Sequence, residues 1–224
     1  MILEVCIDSL VSASAAEAGG CNRLELCSSL NQGGLTPTAT FVTKVLRTTT
    51  LSTMMMVRPR AGNFVYSDAE FQQMRKDIIL AHKLQVQGVV FGILQDNGAI
   101  DTVRTSELVR LARPMQVTFH RAFDECLDPI AGLEQLIIMG IERVLTSGLQ
   151  ETAIEAAPLL AQLVRQAAGR ISIMPGSGIN SLHLGDLADI VKATEYHGSF
   201  KSTGGDHTSE EEVRKAITIL ATKI

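Results

Sequence analysis

Eight times along the 224-residue chain, a short apolar segment leads through a polar turn into an amphipathic helical stretch. Apolar runs bounded by turn residues are typical of buried strands, and apolar residues at helical spacing are typical of packed helices. A strand–helix unit used eight times in a chain of this size has one common closed arrangement, the parallel (β/α)8 barrel, or TIM barrel. The sequence therefore predicts an α/β fold, a TIM barrel that forms a single domain over residues 1–224.

Turn and capping residues set the expected limits of the elements. Ser67-Asp68 provides a cap for the third helix, and Asp128-Pro129 provides a cap and a first-turn proline for the fifth. The seventh helix is predicted to begin at Ser181, and the last to span residues 209–220. The eight strands are predicted at residues 3–7, 23–27, 53–58, 88–94, 115–120, 143–146, 171–174 and 190–196.

Charge and composition argue against several classes of partner and location. A net charge of −4 leaves no basic surface for nucleic acid or anionic lipid. No apolar run is long enough for a transmembrane helix, and the N-terminus MILEVCID lacks the basic region of a signal peptide. The four cysteines form no CxxC pair. A cytoplasmic protein with reduced cysteines is expected.

Polar side chains recur at alternate positions near the ends of five predicted strands. Residues two apart on a strand share a face, so these side chains are expected to point into the barrel together. Carboxylates from three strands would then meet a guanidinium and two imidazoles at the end of the barrel where TIM-barrel active sites lie. The alternating sets are Glu4, Cys6 and Asp8; Glu25 and Cys27; Met56 and Arg58; Thr118 and His120; and Glu195 and His197.

The acidic members of this set need partners. The first, second and eighth strands are neighbours in a closed barrel, which brings Glu4, Glu25 and Glu195 together. Buried charges require compensation, and Arg58, His120 and Arg121 are the expected partners. Two interpretations stay open, a structural ion-pair network and a substrate pocket. For a pocket, the candidate catalytic residues are Glu4, Glu25, Arg58, His120 and Glu195.

Two glycine-containing loops follow the seventh and eighth predicted strands. TIM barrels often hold a phosphate between these loops, where backbone N–H groups approach the anion closely. Glycine permits that approach, although any tight turn can also require it. The candidate anion-binding residues are Gly176, Ser177 and Gly178 in one loop, and His197, Gly198 and Ser199 in the other.

Cys6 and Cys27 each follow a glutamate by two residues, in the strings Glu-Val-Cys and Glu-Leu-Cys. The matching strings predict that both lie at the same level on adjacent strands, about 4.8 Å apart. Two thiolates so placed can bind a soft cation such as Cu(I). Alternatively, both are small apolar side chains that only fill the core, as most buried free cysteines are.

Eight segments in order along the chain together resemble the copper homeostasis protein family CutC. They span most of the sequence: Glu4-Val-Cys-Ile-Asp-Ser9, Arg23-Leu-Glu-Leu-Cys27, Gly33-Gly-Leu-Thr-Pro37, Val57-Arg-Pro-Arg60, Thr118-Phe-His-Arg-Ala-Phe-Asp124, Arg143-Val-Leu-Thr-Ser-Gly148, Met174-Pro-Gly-Ser-Gly178 and Glu195-Tyr-His-Gly-Ser199. The resemblance implies a TIM barrel that assembles as a homo-oligomer.

The same resemblance implies a role in copper tolerance, with Cu(I) bound through Cys6 and Cys27. The residues by themselves leave a second function open, an enzyme acting on a small substrate that carries a phosphate or a carboxylate. In that case Arg58 and the two glycine loops would hold the anion, and His120 or a glutamate would move a proton.

Overall fold

We describe a computed structural model of the protein over residues 1–202 and 204–223. Its sheet consists of eight parallel strands, and each is followed in the chain by a helix, which confirms the predicted (β/α)8 barrel. The strands are β1 (Ile2–Ile7), β2 (Arg23–Leu26), β3 (Ser52–Met56), β4 (Gly88–Phe91), β5 (Gln116–Phe119), β6 (Arg143–Thr146), β7 (Ser172–Pro175) and β8 (Glu195–Gly198).

The helices surround the strands, and capping side chains fix several of their first turns. Ser67 caps α3 in a reciprocal capping box with Glu70, and Asp128 caps α5 ahead of its first-turn proline. Short 3-10 helices at Leu30–Gln32 and Arg121–Glu125 follow β2 and β5. The α-helices are α1 (Leu10–Ala18), α2 (Ala39–Thr48), α3 (Asp68–Leu84), α4 (Thr102–Ala112), α5 (Pro129–Ile138), α6 (Ala157–Ala167), α7 (Leu184–Val191) and α8 (Glu210–Ala221).

The strands run in the order β7-β6-β5-β4-β3-β2-β1-β8, and β7 and β8 lie side by side. Apolar side chains on the outer face of the sheet pack against the helices and form the main core. Inside the barrel, a separate small cluster contains Cys27, Met54, Met56 and Val90. The consecutive methionines therefore alternate between two cores, with Met55 in the outer one.

The prediction for the eighth strand was wrong at its start. Ile190 and Val191 belong to the last turn of α7, and β8 begins at Glu195. The apolar residues near position 190 have the pattern of a strand, but they belong to the last turn of a helix. Among residues 1–202 and 204–223, no helix is long and apolar enough to cross a membrane.

Candidate functional site

A buried network of charged side chains occupies the barrel interior beneath the strand ends. Arg23, at the start of β2, forms ion pairs with Glu4 on β1 and with Glu195 on β8. Arg143 on β6 approaches the same Glu195 carboxylate at 3.1 Å and donates to Thr118 Oγ1 at 3.3 Å. Two guanidinium groups thus balance two carboxylates, as burial of charge requires.

The prediction that Arg58, His120 and Arg121 are the partners of these glutamates was wrong. Arg23 and Arg143 neutralise Glu4 and Glu195, whereas Arg58 forms no ion pair among the described residues. Glu4 and Glu195 also lie outside the wall of the cavity described below. This geometry favours a structural ion-pair role for Glu4 and Glu195.

Glu4 connects this network to the residues above it. Its Oε1 accepts a hydrogen bond from His197 Nδ1 at 2.8 Å. Burial opposes ionisation, but Arg23 and His197 outweigh it and hold the pKa of Glu4 at about 2. Burial also disfavours the charged ring of His197, yet Cys6 and Glu25 raise the pKa of His197 well above its usual value. These neighbours favour the protonated form of His197.

Cys6, Glu25 and His197 come together above that contact. One donor atom of each, sulfur, carboxylate oxygen and ring nitrogen, lies within 4.8 Å of the other two. Strand register produces this grouping, because Cys6 lies opposite Glu25 on β2 and Glu4 lies opposite His197 on β8. These three donor types, at this spacing, can surround a single metal ion.

Cys27 does not lie level with Cys6, so that expectation was wrong. The register of β1 and β2 is displaced by two residues from the one that the matching strings imply, and Glu4 faces Arg23. Such displacement accompanies the strand stagger of any closed barrel. Cys27 Sγ instead donates to Glu25 Oε2 at 3.4 Å. Burial, reinforced by Glu25, raises the pKa of the Cys27 thiol well above its usual value.

A cavity of about 510 Å³ opens above the cluster at the C-terminal ends of the strands. This volume falls within the range of small-molecule sites. Cys6, Glu25 and His197 contribute to its wall. The other lining residues come from β3, β6 and β8, from α8, and from the segments that follow β2, β3, β5, β7 and β8: Leu30, Asn31, Gly33, Met56, Arg58, Phe64, His120, Arg121, Leu145, Ser177, Gly178, Ile179, Asn180, Gly198, Ser199, Phe200, Lys201 and Glu212.

The loops after β7 and β8 line this cavity and contain backbone N–H groups without a hydrogen-bond partner among the described residues. Within the part of the chain that the structure describes, no acceptor receives the N–H groups of Ser177, Gly178, Ile179, Ser199 or Phe200. Gly176 differs from the other predicted anion-binding residues, because it lies outside the lining. A Cβ there would be 2.5 Å from Leu145 Cδ1, so this glycine serves packing beneath the loop.

Arg121 bridges the loops at the rim of the cavity. Its Nε pairs with Asp124 at 2.7 Å, and its Nη2 donates to Ser147 Oγ at 3.1 Å. Asp124 also accepts from the Ser147 N–H at 3.0 Å, which ties the β6 loop to the β5 loop. The Arg121 side chain is 45% exposed and already has a carboxylate partner.

Arg58 follows β3 and is only 6% exposed. Its Nη1 donates to the Gln32 carbonyl at 3.0 Å and to the Gly34 carbonyl at 3.3 Å, and its Nη2 donates to the Gly62 carbonyl at 2.8 Å. The guanidinium lies over the Phe64 ring, 4.8 Å from its centroid. All its acceptors are neutral, so the charge is buried without a counterion among the described residues.

His120 follows β5 and is 3% exposed. Its Nδ1 accepts from the Ala122 N–H at 3.1 Å, which leaves the proton of the neutral ring on Nε2. Nε2 is buried and has no partner among the residues described. Gly92 makes room for the ring, since a Cβ there would be 2.6 Å from Nδ1. Burial, followed by Arg58, lowers the pKa of His120 to about 3.

Comparison with known proteins relates this geometry to a family. A model of the CutC family matches residues 1–202, most of the chain. The chain belongs to the CutC family. It is 46% identical over 202 residues to the human protein named copper homeostasis protein cutC homolog, a match that covers 90% of this chain and 74% of the human one. A CutC protein of Vibrio vulnificus is 48% identical over 203 residues, covering 90% and 81%.

Solved structures agree with the barrel. The crystal structure of CutC from Streptococcus agalactiae superposes with a TM-score of 0.85 and 32% identity, over 89% of this CutC chain and 98% of that one. Phosphoribosylanthranilate isomerase from Thermotoga maritima superposes with a TM-score of 0.65 and 11% identity, over 99% and 100%. At that identity, the second likeness shows the fold alone.

The residues that the sequence analysis missed in this CutC protein are Arg23 and Arg143. Arg23 and Arg143 begin their strands, where charged side chains are usually solvent-exposed, but here they point into the barrel and neutralise the glutamates. The signal was available, since Arg23 and Glu25 are two apart on one strand.

Replacing His120 by asparagine is expected to flatten the pH dependence of stability between pH 6.5 and 5. A histidine has a pKa of about 6.5 in the unfolded chain, so its low pKa in the folded protein makes stability fall as pH decreases below that value. The loss approaches about 1.4 kcal/mol per pH unit for one such group. Urea unfolding at successive pH values measures the slope. His183→Gln, at an exposed site, is the control, and equal slopes for His120→Asn and the parent would contradict the expectation.

Proposed function

We propose that this CutC protein binds Cu(I) at the floor of the cavity. Cys6 is the central ligand, His197 supplies a nitrogen on one side, and Cys27 supplies the second sulfur. The observation that carries the proposal is the cluster of donor atoms of Cys6, Glu25 and His197 within 4.8 Å of one another. Thiolate and imidazole are ligands that suit Cu(I), and the relatives carry the name of copper homeostasis proteins.

The spacing of this cluster fits one ion. Metal bonds to thiolate and imidazole of about 2.3 and 2.1 Å, the values for zinc, join donors up to about 4.4 Å apart. Donors that lie within 4.8 Å of one another would need only small side-chain rotations to bind one ion. Met56 packs beside Cys27 and adds a further soft sulfur near the site.

Anaerobic titration of the reduced protein against a chromogenic Cu(I) chelator tests the proposal. We expect one Cu(I) per chain, and we expect Cys21→Ser to bind as tightly as the parent, because Cys21 lies buried at the other end of the barrel before β2. Binding that the double variant Cys6→Ser, Cys27→Ser retains at parental affinity would overturn the proposal.

A second candidate function is an enzyme that acts on a small anionic substrate. It is favoured by Ser177, Gly178, Ile179, Ser199 and Phe200, which line the cavity of about 510 Å³ and whose N–H groups have no acceptor among the described residues. Successive backbone N–H groups in a loop can form a concave site that binds an anion. Glu25, whose pKa is raised by burial, would be the acid or base of such an enzyme.

For the second candidate, we expect inorganic phosphate to raise the melting temperature of the parent. Each kcal/mol of binding energy raises Tm by about 2–4 °C in a chain of this size. Ser199→Asp places a carboxylate among the N–H groups and should abolish the shift. Sodium chloride at matched ionic strength is the control. A parent that responds equally to phosphate and chloride would argue against an anion site.

A further inference from the structure

Arg58 is a buried cation that the described residues leave without a counterion. At 6% exposure it cannot rely on water, and each acceptor that it contacts is a backbone carbonyl. A buried guanidinium normally has a carboxylate or phosphate partner, because leaving the charge unpaired is costly. Arg58 therefore lacks the anionic partner that a buried guanidinium usually has.

The guanidinium still has donors to offer. Of its five N–H groups, three serve the carbonyls of Gln32, Gly34 and Gly62. The Nε–H and one Nη2–H remain, and Nε has no acceptor among the residues described. Nε and Nη2 lie on one edge of the guanidinium, the edge that binds a carboxylate through two parallel hydrogen bonds. The Tyr66 hydroxyl lies close to Arg58, but a neutral hydroxyl cannot balance the charge.

His120 supplies a further donor on the same wall. Its Nδ1–Cε1 edge packs against Gly92, and its remaining nitrogen, Nε2, is buried without a partner. The Phe64 ring lies between the two residues, with its centroid 4.8 Å from the His120 ring centroid and 4.8 Å from Arg58 Cζ. The two residues and Phe64 all line the cavity. Two unpartnered donors therefore lie on either contact of one aromatic ring, in residues that line the same cavity.

Arg58 lies across the barrel from the loops after β7 and β8. Arg58 follows β3, and the β7 loop follows the strand that is four positions away in the sheet. A ligand that reaches both must carry an acceptor group at each end. We infer that Arg58 and His120 form a carboxylate-binding subsite, and that the cavity takes a small compound with a phosphate at one end and a carboxylate at the other. The phosphate half of this inference rests on the second candidate function proposed above.

A matched pair of three-carbon compounds tests the subsite by isothermal titration calorimetry on the full chain. 3-Phosphoglycerate and glycerol 3-phosphate share the phosphate and the chain length, and differ in a carboxylate against a hydroxymethyl group. We expect the parent to bind 3-phosphoglycerate at least tenfold more tightly. Arg58→Lys should reduce that preference to threefold or less while leaving the affinity for glycerol 3-phosphate unchanged. Arg110→Lys, at an exposed position on α4, should keep the preference.

His120→Phe provides a variant that leaves the loop contacts of Arg58 intact. We expect it to lower the preference severalfold, so the test does not depend on whether Arg58→Lys folds. In nitrogen-15 NMR of the parent, 3-phosphoglycerate should shift the His120 Nε2–H signal, and glycerol 3-phosphate should not. A structural role for His120 would produce no such difference between the two compounds.

The outcomes separate the two claims. Equal affinity of the parent for 3-phosphoglycerate and glycerol 3-phosphate would overturn the carboxylate subsite. It would not contradict a phosphate site in the loops after β7 and β8. Binding of glycerate alone, lost in Arg58→Lys, with no binding of inorganic phosphate, would support the subsite and overturn the phosphate half. Binding of none of these compounds would overturn both.

Discussion

Replacing Arg23 by methionine is expected to destabilise the protein by about 3–5 kcal/mol, because it leaves buried carboxylates without their counterion. Arg23 pairs with both Glu4 and Glu195, and all three side chains are at most one-tenth exposed. The loss of a buried partner is far more costly than the loss of a whole pair. Urea unfolding at pH 7 measures the change in the free energy of unfolding.

Two further variants sharpen this test. Arg170 pairs with Glu134 at the surface, with 44% of its side chain exposed, and Arg170→Met should cost less than about 1 kcal/mol. Adding Glu4→Gln to Arg23→Met should restore part of the lost stability, because one buried carboxylate is then removed with its partner and Glu195 still pairs with Arg143. A cost for Arg23→Met no larger than that for Arg170→Met would show that the network does not hold the barrel interior together.

Replacing Cys6 by serine is expected to lower the affinity for Cu(I) by more than about 100-fold. Even changes to outer-shell partners of a metal cost about 10–100-fold, and Cys6 is the sulfur donor of the cluster. Cys27→Ser should cost less, about tenfold, because Cys6 and His197 remain as a pair and two ligands suffice for Cu(I). Competition with a Cu(I) chelator at fixed pH measures both affinities.

The ranking of these two variants distinguishes two arrangements. If the cysteines formed a symmetric pair at one level, both substitutions would have the same effect. Affinity should also fall as pH falls, because Cu(I) must displace protons from His197 and Cys27, whose pKa values are both raised well above the usual range. A larger loss for Cys27→Ser than for Cys6→Ser would contradict the central place given to Cys6.

The barrel could be predicted from the sequence because each strand and each helix has a local sequence pattern. Apolar segments and capping residues such as Ser67 and Asp128 recur eight times, and few folds accommodate that pattern. Side-chain alternation also brought Glu4, Glu25 and His197 to the inside of the barrel. The error in the start of β8 also has a local cause, because the apolar end of α7 has a composition typical of a strand.

The details of the cluster could not be predicted, because they depend on how the strands slide past one another. The strings around Cys6 and Cys27 look equivalent in sequence, but the barrel displaces them by two residues. That displacement places Cys6 beside Glu25 and places Arg23 beside Glu4. Strand stagger is a property of the closed sheet, and no single strand encodes it.

Anomalous diffraction at the copper edge, from a crystal of the Cu(I)-loaded protein, tests the site most directly. We expect one peak between Cys6 Sγ and the His197 ring, at about the 2.3 Å of a metal–thiolate bond from the sulfur. A fully loaded protein with copper elsewhere, for example at Cys21 or Cys126, and none beside Cys6 would contradict the Cu(I) site at the barrel floor.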